Sequence, residues 1–376
     1  MDAPLPGWLA FGASVRGATH AQRDLPNQDA LAWAPPDGHG PPLVLALADG
    51  HGEARSFRSH HGARLAVQAA CELGTALAQV PGRLAGAAPS DLAGGADRPE
   101  VGSRGGNAPP PQAGAVSGPQ PDRPGVGIVP LPSGMTSPEA RSTPGQAIDL
   151  PAFAGPREVP PGEALSSTGA GFGRRLTDRW RQLVEAHRAA NPAGWYEAIA
   201  ALERAGDRQA PAELHGNPLL AYGSTLLFAV ITAEGLLYGQ LGDGDILEIG
   251  DPPAVRRPLP ADPRLVGNLT TSLCQPDSWR DFRFAFRPAA AAPLAVLLAT
   301  DGYGNSFRDP AGFLQVGPDL VDALRNDGLA AVRDHLPGWL EETSREGSGD
   351  DISAGLLIRP QALGVGEPGG GRGVHG

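Results

Sequence analysis

The chain of 376 residues contains no lysine; its 30 basic side chains are all arginine, set against 41 acidic ones. A formal net charge of −11 argues against a nucleic-acid backbone as the main partner, because affinity for that polyanion comes from clustered cations. Cysteine is nearly absent as well. Cys71 and Cys274 are too few for a disulfide framework and form no Cys-x-x-Cys pair, so buried free thiols in a reducing compartment are expected. No apolar run approaches the length of a membrane span. Met1 to Gly7 lacks the basic stretch and following apolar stretch of a secretion signal, so a cytoplasmic location away from membranes is expected.

Glycine and proline are abundant instead, at 53 and 40 residues, and they are unevenly spread. From Pro81 to about Ser167 the chain is mostly Pro, Gly, Ala and Ser, without helical or strand periodicity. Such a stretch cannot bury enough apolar surface to offset its ordering entropy, so 81–167 reads as a disordered insert. The Gly-rich tail at 361–376 reads the same way. Helical spacing flanks the insert, in Leu65, Ala66, Ala69, Ala70 and Leu73 before it and Phe172, Leu176, Trp180 and Val184 after it. Acidic turns also fall on both sides, so the insert is expected to interrupt one domain spanning 1–360.

The remaining pattern is largely β. Leu43 to Ala48 is a continuous apolar run, as in a strand covered on both faces. Thr225 to Thr232 and Leu236 to Leu241 read as a hairpin across Ala233-Glu234-Gly235. Ile246 to Ile249, the alternating Phe282, Phe284 and Phe286, Leu294 to Ala299, and Ile352 to Ile358 supply further strands. Leu320 to Leu340 is helical in pattern, with a break expected at Pro337. Strands with a few long helices suggest a layered α/β sandwich.

Four acidic turns sit at the ends of these apolar runs: Asn27-Gln28-Asp29, Ala48-Asp49-Gly50-His51-Gly52, Thr300-Asp301-Gly302 and Gly349-Asp350-Asp351. A carboxylate at a strand end is rigidly aimed while its loop stays open. Several converging carboxylates hold hard divalent cations through oxygen. Any one of these turns also fits an acidic cap or Asx turn. Together they would repel one another without a cation. Asp37-Gly38-His39-Gly40 repeats the letters of the second turn, but it lies between Pro35-Pro36 and Pro41-Pro42 with no strand leading in. It reads as a surface loop.

These residues carry a resemblance. Gly12-Ala13-Ser14-Val15, Gly17, His20 and Pro26-Asn27-Gln28-Asp29-Ala30 resemble the opening of bacterial type 2C-like, metal-dependent Ser/Thr protein phosphatases. Ala48-Asp49-Gly50-His51-Gly52, Arg58-Ser59, Gly62-Ala63, Gly223-Ser224-Thr225 and Gly242-Asp243-Gly244-Asp245 continue it in order. Ala299-Thr300-Asp301-Gly302-Tyr303 and Asp350-Asp351-Ile352-Ser353 complete it. The resemblance implies an α+β fold, an αββα sandwich of two central, mainly antiparallel β-sheets flanked by helices, with a dinuclear metal site at one end. It implies two Mn²⁺ or Mg²⁺ ions and a weaker third.

By motif, Asp49 would bridge the two ions, the Gly50 carbonyl would bind one, and Asp301 and Asp350 would complete the other's shell. Asp243 matches the third-ion position. Asp29, or Gln28, would act through bound water. His51 is the candidate for protonating the leaving oxygen, against its plain reading as a solvent-exposed turn histidine. His20 or Arg23 would grip the substrate phosphate. The implied partners are phosphorylated Ser/Thr proteins and a cognate protein kinase. Three departures stand out: Gln28 where many members carry Glu, Asp351 where Asn is common, and no clearly aligned phosphate-binding Arg. They keep open a second reading, an inactive pseudophosphatase that binds phosphoproteins as a regulator.

Overall fold

The computed structural model describes residues 7–79, 169–265 and 270–365. The expected disordered insert at 81–167 lies outside the described residues, as does all but the start of the Gly-rich tail. Four strands precede residue 80: β1 (Trp8–Val15), β2 (Ala30–Ala34), the two-residue β3 (His39–Gly40) and β4 (Leu43–Ala48). Seven follow: β5 (Leu226–Ile231), β6 (Gly235–Leu241), β7 (Asp245–Ile249), β8 (Val255–Arg256), β9 (Arg283–Pro288), β10 (Ala295–Ala299) and β11 (Ile352–Ile358). They form a six-stranded sheet, β3-β1-β11-β10-β7-β8, and a five-stranded sheet, β2-β4-β5-β6-β9. All the pairings are antiparallel. Each sheet draws strands from both sides of residue 80.

The helices are α1 (Ala18–Gln22), α2 (Ser59–Ala78), α3 (Gly169–Ala190), α4 (Trp195–Arg204), α5 (Gln209–Gly216), α6 (Asp301–Gly304), α7 (Pro310–Asn326), α8 (Gly328–Glu346) and α9 (Pro360–Leu363). Three apolar layers result. Leu43, Leu45 and Leu47 of β4 join Leu227, Ala229 and Ile231 of β5 between the sheets. The alternate residues, Val44 and Ala46 with Phe228 and Val230, face α2 and α3 on one outer side. Leu247, Leu297 and Leu356 pack under α7 and α8 on the other. This is the expected αββα sandwich, and the period of two along each strand produces it. Central strands buried on both faces explain why β4 and β5 read as unbroken apolar runs.

Two local expectations change. Pro337 lies inside α8 and does not end it; the break falls earlier, at Gly328, where φ is +84°. The carbonyl that Pro337 leaves without an intrahelical donor belongs to Arg333, which is exposed, so water can satisfy it. A positive φ at Gly328 stops α7 and lets α8 restart, as C-terminal glycines do. At the far end, Pro360 to Leu363 form a short helix with Leu363 buried, so the packed chain runs past the expected boundary at 360.

Candidate active site

Register brings the acidic turns together. In the five-stranded sheet, Ala30 pairs with Ala48, so Asp29 before β2 lies beside Asp49 after β4. In the six-stranded sheet, Ala299 pairs with Ala354 and with Asp245, so Asp301, Asp350 and Asp243 gather at one end of β10, β11 and β7. Face-to-face packing of the sheets puts both groups at the same end.

Each turn is built for its place. The Asp49 N–H donates to Thr225 Oγ1 at 3.0 Å, and the Asp49 carbonyl accepts from Thr225 N at 2.8 Å. Gly50 has no room for a side chain: a Cβ there would lie 2.7 Å from the Gln28 carbonyl oxygen and 2.8 Å from the Ser59 backbone. Gly302 is equally confined, against the Asp351 carbonyl. Asp29 is buried, and its Oδ2 accepts from Thr300 Oγ1 at 2.7 Å. Asp243 accepts from Thr270 Oγ1 at 2.8 Å.

The carboxyls act on one another. Burial raises Asp49 well above the ordinary range, and the charges of Asp301, Asp29 and Asp350 raise it further. Asp29 is raised likewise, first by burial and then by Asp351. Asp301 is pushed up to about 6 by burial and then by Asp243. Among the described residues, no arginine forms an ion pair with Asp29, Asp49, Asp243 or Asp301. Several carboxyls held together without a counter-cation, presenting oxygen only, form a donor set that fits hard divalent ions.

The Asp350-Asp351 pair divides sharply. Successive residues at a strand's start point to opposite sides. The Asp350 side chain is 53% exposed and its charge acts on Asp49, whereas that of Asp351 is 3% exposed. Asp351 accepts hydrogen bonds from Gly17 N at 2.6 Å and Gln28 N at 2.6 Å, and pairs with His20 Nδ1 at 2.7 Å. That contact, more than any other, raises the His20 pKa. His20 Nε2 then lies 3.6 Å from Asp350 Oδ1, on the cluster side. The structure therefore brings His20 to the site and leaves Arg23 exposed at the end of α1.

His51 donates its backbone N–H to the Gly223 carbonyl at 3.1 Å, and its ring occupies the space where a Gly223 side chain would be. Burial holds its pKa below the ordinary histidine value, opposed by Glu53 and Asp243. Gln28 is buried and donates Nε2–H to Ser59 Oγ at 3.0 Å, while its Oε1 has no partner. The anchoring role of Asp351, and of Thr225 and Thr300, was missed from sequence. The Asp-Asp doublet at a strand start was the available signal for the first.

A protein-family model described as protein phosphatase 2C matches residues 16–90 and 163–341. No curated protein matches the chain. Among solved structures, the catalytic domain of the serine/threonine phosphatase PstP with two manganese ions is 14% identical, with a TM-score of 0.42, covering 94% of this chain and 98% of that one. The PstP/Ppp phosphatase of Mycobacterium tuberculosis is 15% identical, at a TM-score of 0.42, covering 94% and 98%. PppA, a regulatory component of the T6SS in Pseudomonas aeruginosa, is 14% identical, at a TM-score of 0.43, covering 93% and 97%.

Proposed function

The chain belongs to the protein phosphatase 2C family, and we propose that it is a metal-dependent protein serine/threonine phosphatase. The observation that carries this reading is the convergence of Asp29, Asp49, Asp243, Asp301 and Asp350 at one end of both sheets, the first four without an ion-pair partner among the described residues. Asp49, the Gly50 carbonyl, Asp301 and Asp350 would hold two Mn²⁺ or Mg²⁺ ions, with Asp243 at a third and Asp29 acting through water. Two such ions would supply Lewis-acid stabilisation of developing negative charge and would ease the ionisation of a nucleophilic water near neutral pH. No protein nucleophile is then required.

The chain's own groups do the rest. His20, held by Asp351, presents Nε2 to the cluster as a donor for a phosphoryl oxygen. Its raised pKa favours the charged form that such a contact needs. His51 would give a proton to the leaving Ser or Thr oxygen, with the dianionic substrate raising its lowered pKa on binding. Gln28 Oε1 is a neutral acceptor for water in the site. Substrates would be cytosolic phosphoproteins, opposed by a cognate protein kinase.

The test is Mn²⁺-dependent hydrolysis of p-nitrophenyl phosphate and a phosphothreonine peptide, wild type against Asp49→Asn. Metal-dependent turnover that disappears in the variant supports the reading. A folded wild type inactive with every divalent ion overturns it and favours a pseudophosphatase. Gln28, which brings no charge to the ions, is the observation on that side.

A further inference from the structure

Beside the acidic turn lies a second cleft, of about 460 Å³, walled by Phe57, Arg58, His60, His61, His187 and the 190–194 turn. His60 and His61 come from the first turn of α2, and His187 comes from the last turn of α3. Their rings form a tilted stack, 40° off parallel at each step, with centroids 4.0 Å apart between His60 and His61 and 4.3 Å between His61 and His187. Tyr222 ties the stack to the cation. Its hydroxyl accepts from Arg58 Nη1 at 2.8 Å and lies 3.0 Å from His187 Nδ1. Arg58 Nη2 donates to the Ala193 carbonyl at 2.7 Å, and the guanidinium lies 5.5 Å from the Trp195 ring centroid.

The charges here are one-sided. Arg58 is 8% exposed, yet among the described residues no carboxylate pairs with it, and no lining residue is acidic. A buried guanidinium met only by neutral acceptors and ring faces lacks the counter-charge that burial calls for. In a chain of net charge −11 this is a local reversal of sign.

Two ligand classes compete for such a cleft. Neutral imidazoles suit zinc, nickel or copper. Among the described residues, however, the group that brings three potential ligand atoms within 4.8 Å is His20, Asp350 and Asp351, not this stack. A metal would also sit beside the unpaired Arg58 charge. An anion meets neither objection.

We propose that this cleft is an anion site for a phosphate monoester, separate from the acidic cluster, in which Arg58 and the His60–His61–His187 stack face the phosphoryl oxygens. Binding is coupled to proton uptake. The groups around the stack are Arg58 and Arg64 on the α2 side, His187 and Arg188 on α3, and Tyr222. Burial first, then Arg64, His187 and Arg58, hold His60 down at about 4. Burial, then His60, His187, Arg64 and Arg58, hold His61 at about 3. His187 is lowered by burial and then Arg58. A dianion beside the rings offsets these depressions with its own negative charge, so imidazoles take up protons as it enters, and affinity rises as pH falls below 7. Tyr222 is followed by Gly223, whose carbonyl holds the His51 backbone, so the site adjoins the acidic turn.

The site does not depend on the acidic cluster being catalytic, and its test removes catalysis. The full chain carrying Asp49→Asn, in EDTA, is titrated with inorganic phosphate and with a phosphothreonine peptide by calorimetry in two non-phosphate buffers of different ionisation heat. The expected result is saturable binding with net proton uptake at pH 7, weakened at least tenfold by His61→Asn with His187→Asn. Resonances assigned to His60, His61 and His187 in the Asp49→Asn chain that move with phosphate, beyond any movement of His20 and His51, supply the same answer if the double variant does not fold. Peptide binding tenfold tighter than phosphate makes the site a phosphoprotein dock; equal affinities make it a site for the free ion. No binding of either, or binding untouched by the histidine changes with none of these three resonances moving, overturns the proposal.

Discussion

Asp37-Gly38-His39-Gly40 and Asp49-Gly50-His51-Gly52 are the same four letters in two settings. Asp37 is exposed and satisfies its own turn, its Oδ1 accepting from His39 N at 3.1 Å. His39 is exposed as well, and its strand, β3, pairs only with β1 at the edge of the six-stranded sheet. Asp49 instead ends β4, an interior strand of the five-stranded sheet, and it meets three other carboxyls contributed by distant parts of the chain. The glycines differ too. Both leave no room for a Cβ, Gly38 against the Ala10 carbonyl oxygen and Gly50 against Gln28 and Ser59, but only Gly38 also needs a positive φ, of +72°. A tetrapeptide acquires chemistry from the strand that carries it and the turns that strand meets.

The largest expected contrast is in turnover. Asp49→Asn lowers Mn²⁺-dependent peptide dephosphorylation on the order of 10³-fold, the scale of losing a principal electrostatic contributor to the transition state. Asp37→Asn leaves the rate within about twofold, in line with a surface substitution. Equal losses at both positions would break the comparison.

Next comes stability. Gly50→Ala forces a methyl against two backbone segments and is expected to cost about 1–3 kcal/mol in chemical denaturation. Gly52→Ala meets nothing nearer than Gln28 Oε1 at 3.6 Å and is expected to be close to neutral.

The pH dependence sharpens the contrast further. Folded-state values raised above the unfolded ones, as at Asp29, Asp49 and Asp301, contribute stability at low pH that is lost as pH rises through them. For Asp301 that passage falls at about 6. The cluster therefore lowers the melting temperature of the metal-free chain as pH rises from 5 to 8. His60 and His61 pull the opposite way, because their lowered values add stability over the same range. Saturating Mn²⁺ reverses the cluster's loss at pH 8. Asp49→Asn reduces the dependence, while Asp37→Asn leaves it unchanged. Thermal melts in EDTA and in Mn²⁺ measure both. The smallest effect is expected at His39→Ala, whose ring contacts its own turn and solvent, with melting temperature and turnover both unchanged.

Legibility followed the range of the forces involved. Strand positions such as Leu43–Ala48 and Leu236–Leu241 were readable because burial on both faces writes an unbroken apolar run into local sequence. The turns at Asp29, Asp49, Asp301 and Asp350 were readable because each sits where such a run stops. Pro337 misled because a proline's cost depends on whether water reaches the carbonyl four residues back, which is a matter of tertiary exposure. Asp351 was left undecided because its three donors, Gly17, His20 and Gln28, lie at the other end of the chain.

By itself, then, the sequence determined the layered class of the fold, the strands from β4 onward apart from β8, and the acidic turns at their ends. Periodicity and turn chemistry act over a few residues, and those are visible without a structure. Only the tertiary structure decided that Asp351 anchors His20 while Asp350 faces the cluster. It alone gathered His60, His61 and His187 beside an Arg58 that meets no carboxylate among the described residues. Both depend on antiparallel register and helix packing, which join residues whose separation in the chain carries no local trace.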